Sequence, residues 1–160
     1  MGTGNFKPKE DLKLFSNPIK GDKLSFILEL TKKCICDIKC SKRGHGTGFI
    51  CRIPYPDFFN LKPVLITSYH VLKKDELDEG KEIKFTLNNN EVEKVITITD
   101  KRKVYLNKEF DVTIIELDPS KDSIESESFL EVDKKIFCEE PNKEYEKKEI
   151  YIIGNVKEFT

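Results

Sequence analysis

A chain of 160 residues with 38% hydrophobic and 36% charged side chains holds enough apolar material for one domain, which buries roughly two thirds of its unfolded surface. Its 28 Lys and Arg offset 29 Asp and Glu, and the net charge of −1 excludes the global electrostatic pull behind binding to nucleic acid or anionic membranes. No apolar run approaches the roughly 20 residues of a membrane-spanning helix, Met1 to Asp11 lacks the apolar core of a secretory signal, and the cysteine count of five is odd, so a reducing, cytoplasmic setting is expected.

In chain order, residues 1–21 carry Gly, Pro, Asn and Lys and read as an extended arm. Leu24, Ile27, Leu28 and Thr31 have helical spacing with Asp22 placed to cap, although a strand over Leu24 to Leu30 fits nearly as well. From Cys34 the pattern is β. Cys34, Cys36, Ile38 and Cys40 alternate with Asp37 and Lys39, Ser41 to Gly46 form a turn, and Gly48 to Ile53 form a second strand. Pro54 to Pro63 is a loop with aromatic residues at its middle, and Val64 to Thr67 is a short, fully apolar strand. Residues 68–80 hold His70 on a helical turn and then a charged loop. Glu82 to Leu87 alternates with Ile83, Phe85 and Leu87 inward, Asn88 to Asn90 signal a turn, and Val92 to Thr99 is β-branched. Lys101 to Tyr105 continues it after a break, and Val112 to Leu117 is a buried strand ended by Asp118 and Pro119. Residues 118–128 read as a surface connector, and Ile150 to Ile153 opens a further strand. Short strands joined by polar turns predict a closed antiparallel barrel or sandwich.

Two segments carry the chemistry. The first is Gly46-Thr47-Gly48-Phe49 followed by Leu65-Ile66-Thr67-Ser68-Tyr69-His70-Val71-Leu72, and the second is Phe110-Asp111-Val112-Thr113-Ile114-Ile115-Glu116-Leu117. Together they resemble the first half of a trypsin-like, chymotrypsin-fold serine peptidase. The match rests on Thr67, His70 and Val71, which fit that family's Thr-x-x-His-Val pattern after an apolar strand, and on Asp111 immediately before a later strand. The resemblance spans roughly residues 33–117, with an echo at Tyr151 to Gly154. It implies a mainly β fold, the first barrel of a two-barrel enzyme, over residues 22–117, and a charged connector with the start of a second barrel over 118–160. It also implies that His70 is the general base and Asp111 its orienting carboxylate, since a hydroxyl attacks only once an imidazole takes its proton and a carboxylate fixes that imidazole's tautomer.

The third element of such a triad is missing. No Gly-x-Ser-Gly or Gly-x-Cys-Gly occurs, and Ser120, Ser123, Ser126, Ser128 and Cys138 lack flanking glycines and follow Asp111 too closely to lie on a second barrel. Ser68 and Tyr69 also depart from the small pair common before the histidine. The expectation is therefore a truncated serine endopeptidase domain without its nucleophile, inactive alone, or else a non-catalytic binding module on a peptidase-derived barrel. A peptide or protein is the substrate expected once a second barrel completes the site. No metal or organic cofactor, nucleic acid or membrane is implied, and an exposed barrel face predicts self-association. The rival chemistry is zinc at Cys34, Cys36, Cys40 and His45, whose spacing departs from the paired Cys-x2-Cys knuckle. His45 alone reads as a turn residue, and Tyr55, Phe58 and Phe59 read as a binding patch or, in preference, as packing under the long loop.

Overall fold

The computed structural model describes residues 21–40, 44–87, 91–124, 129–137, 139, 140, 143 and 146. It shows one helix, α1 (Gly21–Cys34), and the strands β1 (Ile35–Cys40), β2 (Gly44–Pro54), β3 (Leu61–Thr67), β4 (Glu82–Leu87), β5 (Val92–Thr97), β6 (Val104–Asn107), β7 (Val112–Glu116) and β8 (Leu130–Glu131). The strands form a single, mainly antiparallel sheet in the order β5-β4-β1-β2-β3-β7-β6, curled into a half-barrel. β8 joins β2 in parallel, opposite Cys51 and Arg52. The N-terminal arm, the Asn88–Asn90 turn and the Ile150–Ile153 strand expected from sequence lie outside the described residues.

The ambiguity at Leu24–Leu30 resolves as helix, with Asp22 in the first turn rather than at the cap and Lys32 and Lys33 in the last, each charge matched to the helix dipole. Leu24, Phe26 and Leu28 stay exposed, so the helix lies against the barrel only through Leu30 and its C-terminal end. It runs straight into β1. Cys34 is therefore helical rather than the first strand residue, while Cys36 and Ile38 keep the expected alternation and are fully buried. The inward row of β4, Ile83, Phe85 and Leu87, is buried as its spacing requires. Ile50, Leu65, Ile96 and Ile115 complete the core around Phe85, each apolar side chain contributing about 1.5–3 kcal/mol on burial.

The Gly-Thr-Gly stretch has a packing cause. A Cβ on Gly46 would lie 2.3 Å from Val71 Cγ1, and one on Gly48 would lie 2.7 Å from Ile38 Cδ1 and 2.9 Å from the Ile66 carbonyl oxygen. Both glycines let β2 press against β3 and the turn that follows it.

The 118–128 connector differs from its surface reading. Asp122 and Ile124 are buried, because Arg102 at the seam between the ends of β5 and β7 draws Asp122 inward. Arg102 donates to Thr97 O (2.9 Å), to Glu116 O (2.7 Å) and in bidentate fashion to Asp122 (2.9 and 2.8 Å). Phe129 is also buried and lies under the Arg52 guanidinium, 5.2 Å from ring centroid to Cζ.

Candidate active site

The end of β3 and the start of β7 are neighbours, since Thr67 pairs with Thr113. Beyond Thr67 the chain turns, the Ser68 carbonyl accepting the N–H groups of Val71 (3.0 Å) and Leu72 (3.2 Å). This turn carries His70 and is tied down on both sides. The Thr67 hydroxyl donates to Thr47 O (2.8 Å) on β2, and the fully buried Thr113 hydroxyl donates to Leu72 O (2.9 Å).

Asp111 ends the four-residue loop that joins β6 to β7 across the Asn107–Val112 pair. The Asn107 side chain accepts the Phe110 N–H (2.9 Å), which holds that loop closed. Asp111 has φ of 52°, in the left-handed region that costs a non-glycine residue roughly 1–2 kcal/mol and that Asp tolerates better than most.

That conformation aims the carboxylate at His70 with both oxygens. Asp111 Oδ1 accepts the His70 backbone N–H (2.9 Å), and Oδ2 lies 2.6 Å from His70 Nδ1. The Asp111 carboxyl is held below the usual carboxylate range, first by the His70 backbone hydrogen bond, next by the His70 side chain, with the Ser68 hydroxyl adding to both. An ionised carboxylate only accepts, so Nδ1 carries a proton toward Oδ2, the tautomer that in a neutral imidazole leaves the lone pair on Nε2. The structure therefore brings the two sequence-predicted residues together in the arrangement that makes an imidazole a directed base. The side chains of His70 and Asp111 are 65% and 47% exposed, so water screens the pair as it stands.

The other residues weighed from sequence fall elsewhere. Ser120 and Ser123 follow β7 at its end remote from Asp111, about 16 Å along a five-residue strand. Ser126, Ser128 and Cys138 lie outside the described residues. Tyr69 is half-buried beside the site. Among the described residues no three His, Cys, Asp or Glu side chains converge to hold a metal ion. The zinc reading of Cys34, Cys36, Cys40 and His45 is overturned: Cys36 is in the core, while His45 lies on β2, exposed, with its Nδ1 2.9 Å from Asp37 Oδ2. Burial raises the Cys36 thiol far above its ordinary range and Cys51 to about 11, the behaviour of small core hydrophobes.

His45 is thus a strand residue rather than a turn residue, and sequence reasoning missed its partner. The register pairs Lys39 with His45 and Asp37 with Thr47, which makes His45 and Asp37 diagonal neighbours on the outer face. The available signal was the placement of Asp37 out of phase with the cysteines. Among the described residues no helix is long and apolar enough to cross a membrane.

No protein-family model, no curated protein and no solved structure matches the chain.

Proposed function

We propose that this chain carries the base-and-acid half of a trypsin-like serine endopeptidase site on a chymotrypsin-like first barrel. One observation carries the reading: the two-point contact of Asp111 with the His70 backbone and ring, set at adjacent strand ends of a curled antiparallel sheet. In this reading His70 Nε2 takes the proton of an incoming hydroxyl nucleophile and later returns it to the leaving amine. Asp111 keeps Nδ1 protonated and stabilises the imidazolium that forms. The nucleophile and the amides that stabilise the oxyanion belong to a second body, which would also exclude water from the exposed pair. A cysteine in place of serine would use the same His–Asp half.

A second reading, a non-catalytic binding module, draws support from the exposure of both side chains. The native gene product, assayed with fluorogenic peptides and a fluorophosphonate label, separates the two. Hydrolysis and labelling that both fall at least about 1,000-fold on His70→Ala are the expected result. A native gene product that neither cleaves nor labels, or whose cleavage survives His70→Ala, sinks the peptidase reading.

A further inference from the structure

The loop from Tyr55 to Asn60 joins β2 to β3 and is held rigidly. The Tyr55 N–H donates to Asn60 O (2.8 Å). The Asp57 carboxylate accepts the N–H groups of Phe59 (2.9 Å) and Asn60 (3.1 Å) and both of its oxygens meet the Asn60 side-chain amide (2.9 and 3.0 Å). This scaffold holds Phe59 out in water, 96% exposed. Next to it, Phe58 packs edge-on against Phe137 from the turn at Lys134–Phe137, with centroids 5.1 Å apart. The sequence reading of these aromatics as packing under the loop holds for Phe58 in part and fails for Phe59.

Beside this knob lies a hollow. An open groove of about 570 Å³ runs over the outer face of β2, β3, β7 and β6, floored by Ile53, Val64 and Ile114 and walled by Tyr55 and Tyr105. Lys62 and Lys103 stand at its rim, with Lys103 Nζ 5.6 Å from the Tyr55 ring centroid. Tyr55 belongs to both features, so the knob and the hollow form one continuous surface.

A surface that carries both a projecting shape and its receptor is self-matching under a two-fold axis. The charges match as well. Asp57 sits at the base of the knob, and the groove carries Lys103 and a Lys62 that stands 4.0 Å from Glu116, so the excess of one positive charge at the groove opposes the single acid of the knob. The acidic Asp57 and Glu116 on this same surface oppose an anionic lipid headgroup. The area is sufficient. Tyr55, Phe58, Phe59, Tyr105, Ile136 and Phe137 are each about half exposed or more. At 150–250 Å² for a whole aromatic side chain the five aromatics expose on the order of 600 Å² per copy, so full burial gives at most roughly 1,200 Å² for two, the lower end of specific interfaces. The hydrogen-bonded loop is ordered before contact, which lowers the entropy lost on association.

We propose that a second copy of this chain docks on this surface in an isologous contact, each copy's Phe59 entering the other's groove. The inference stands apart from the peptidase reading. The knob is at the opposite end of β3 from His70, roughly 20 Å away along seven residues, while the groove extends to Tyr105, whose hydroxyl accepts from Asn107 Nδ2 (3.1 Å) beside the Asp111 loop.

Sedimentation velocity of the 160-residue chain from about 1 to 200 μM tests it. The expected result is a weight-average mass that rises with concentration from 18.6 kDa toward twice that value. Phe59→Asp weakens the self-association at least about 30-fold, as loss of a central aromatic anchor does, with an unchanged circular dichroism spectrum. Tyr105→Lys does the same from the groove side. Mixing the two variants restores a heterodimer, since one wild-type knob meets one wild-type groove and the introduced carboxylate faces the introduced ammonium. A wild-type chain that stays monomeric to 200 μM overturns the proposal. So does a dimer that Phe59→Asp leaves intact, or variants that do not rescue each other.

Discussion

Arg102→Met removes the cation from the barrel seam and leaves Asp122 buried without its partner. The side chains are only 11% and 4% exposed, so little water can replace the lost guanidinium. Thr97 O and Glu116 O lose their donors at the same time, although both sit near strand ends where some rehydration is possible. Breaking a buried pair from one side costs about 3–5 kcal/mol, about a fifth or more of the roughly 5–15 kcal/mol that holds an ordinary domain folded. At about 2–4 °C per kcal/mol for a chain of this size, the melting midpoint should fall by roughly 6–20 °C. Urea denaturation followed by circular dichroism gives the free energy, and a thermal scan gives the midpoint. The double variant Arg102→Met with Asp122→Leu should recover most of the loss, because an apolar pair of similar volume needs no charge compensation. Lys143→Met, which removes one side of an exposed pair with Glu140 at 2.7 Å, serves as the control and should change stability by under about 0.5 kcal/mol. A cost below about 1 kcal/mol for Arg102→Met, or a double variant as unstable as the two singles combined, would refute the reasoning.

Gly46→Ala drives a methyl into Val71 and should cost about 1–3 kcal/mol by urea titration, with Val71→Ala on the same chain restoring part of it. Cys36 and Cys51 should resist an aromatic disulfide reagent at pH 8 in the folded chain, and all five thiols should react in urea; rapid native labelling of Cys36 by mass mapping would contradict the burial that raises its thiol. Asp111 is depressed in the fold, so its contact with His70 contributes fully above the ordinary Asp range and is lost as pH falls through its lower folded value. Carbon-13 detection of the Asp111 carboxyl should therefore show a titration midpoint below 3.8, and a midpoint at or above 3.8 would contradict the geometry.

The sequence was most legible where local pattern and burial agree. The Val64–Thr67 end of β3 is a short apolar run, and β7 alternates buried Thr113 and Ile115 with half-buried Val112, Ile114 and Glu116, a strand with one face in the core. The expectation that His70 and Asp111 meet came from the resemblance of their flanking segments to a peptidase pattern, since the strand pattern alone does not make β3 and β7 neighbours. Less legible was α1, whose apolar spacing fits a helix although Phe26 and Leu28 face water, so periodicity alone did not measure burial. The seam was illegible because nothing near Arg102 marks a partner twenty residues later, and a serine- and acid-rich stretch resembles a solvated connector until one of its carboxylates is pulled inside. β8 was missed for a related reason. Two residues in parallel pairing carry no periodicity, and their place is fixed by Phe129, packed beneath Arg52, and Leu130, packed against the core.

The pairing of β3 with β7 also sets an order of events during synthesis. β1, β2 and β3 form antiparallel neighbours within a short stretch of chain, but the far edge of β3 waits for β7, and His70 waits for a carboxylate 41 residues further on. At about 5–20 residues per second the ribosome needs roughly 2–8 s to deliver that stretch. Through this interval Leu65 and Ile66 sit on an open strand edge, the kind of template on which nascent chains mispair. The His70–Asp111 contact stands at the end of β3 that β7 closes, so the site and the protection of that edge depend on the same long-range pairing.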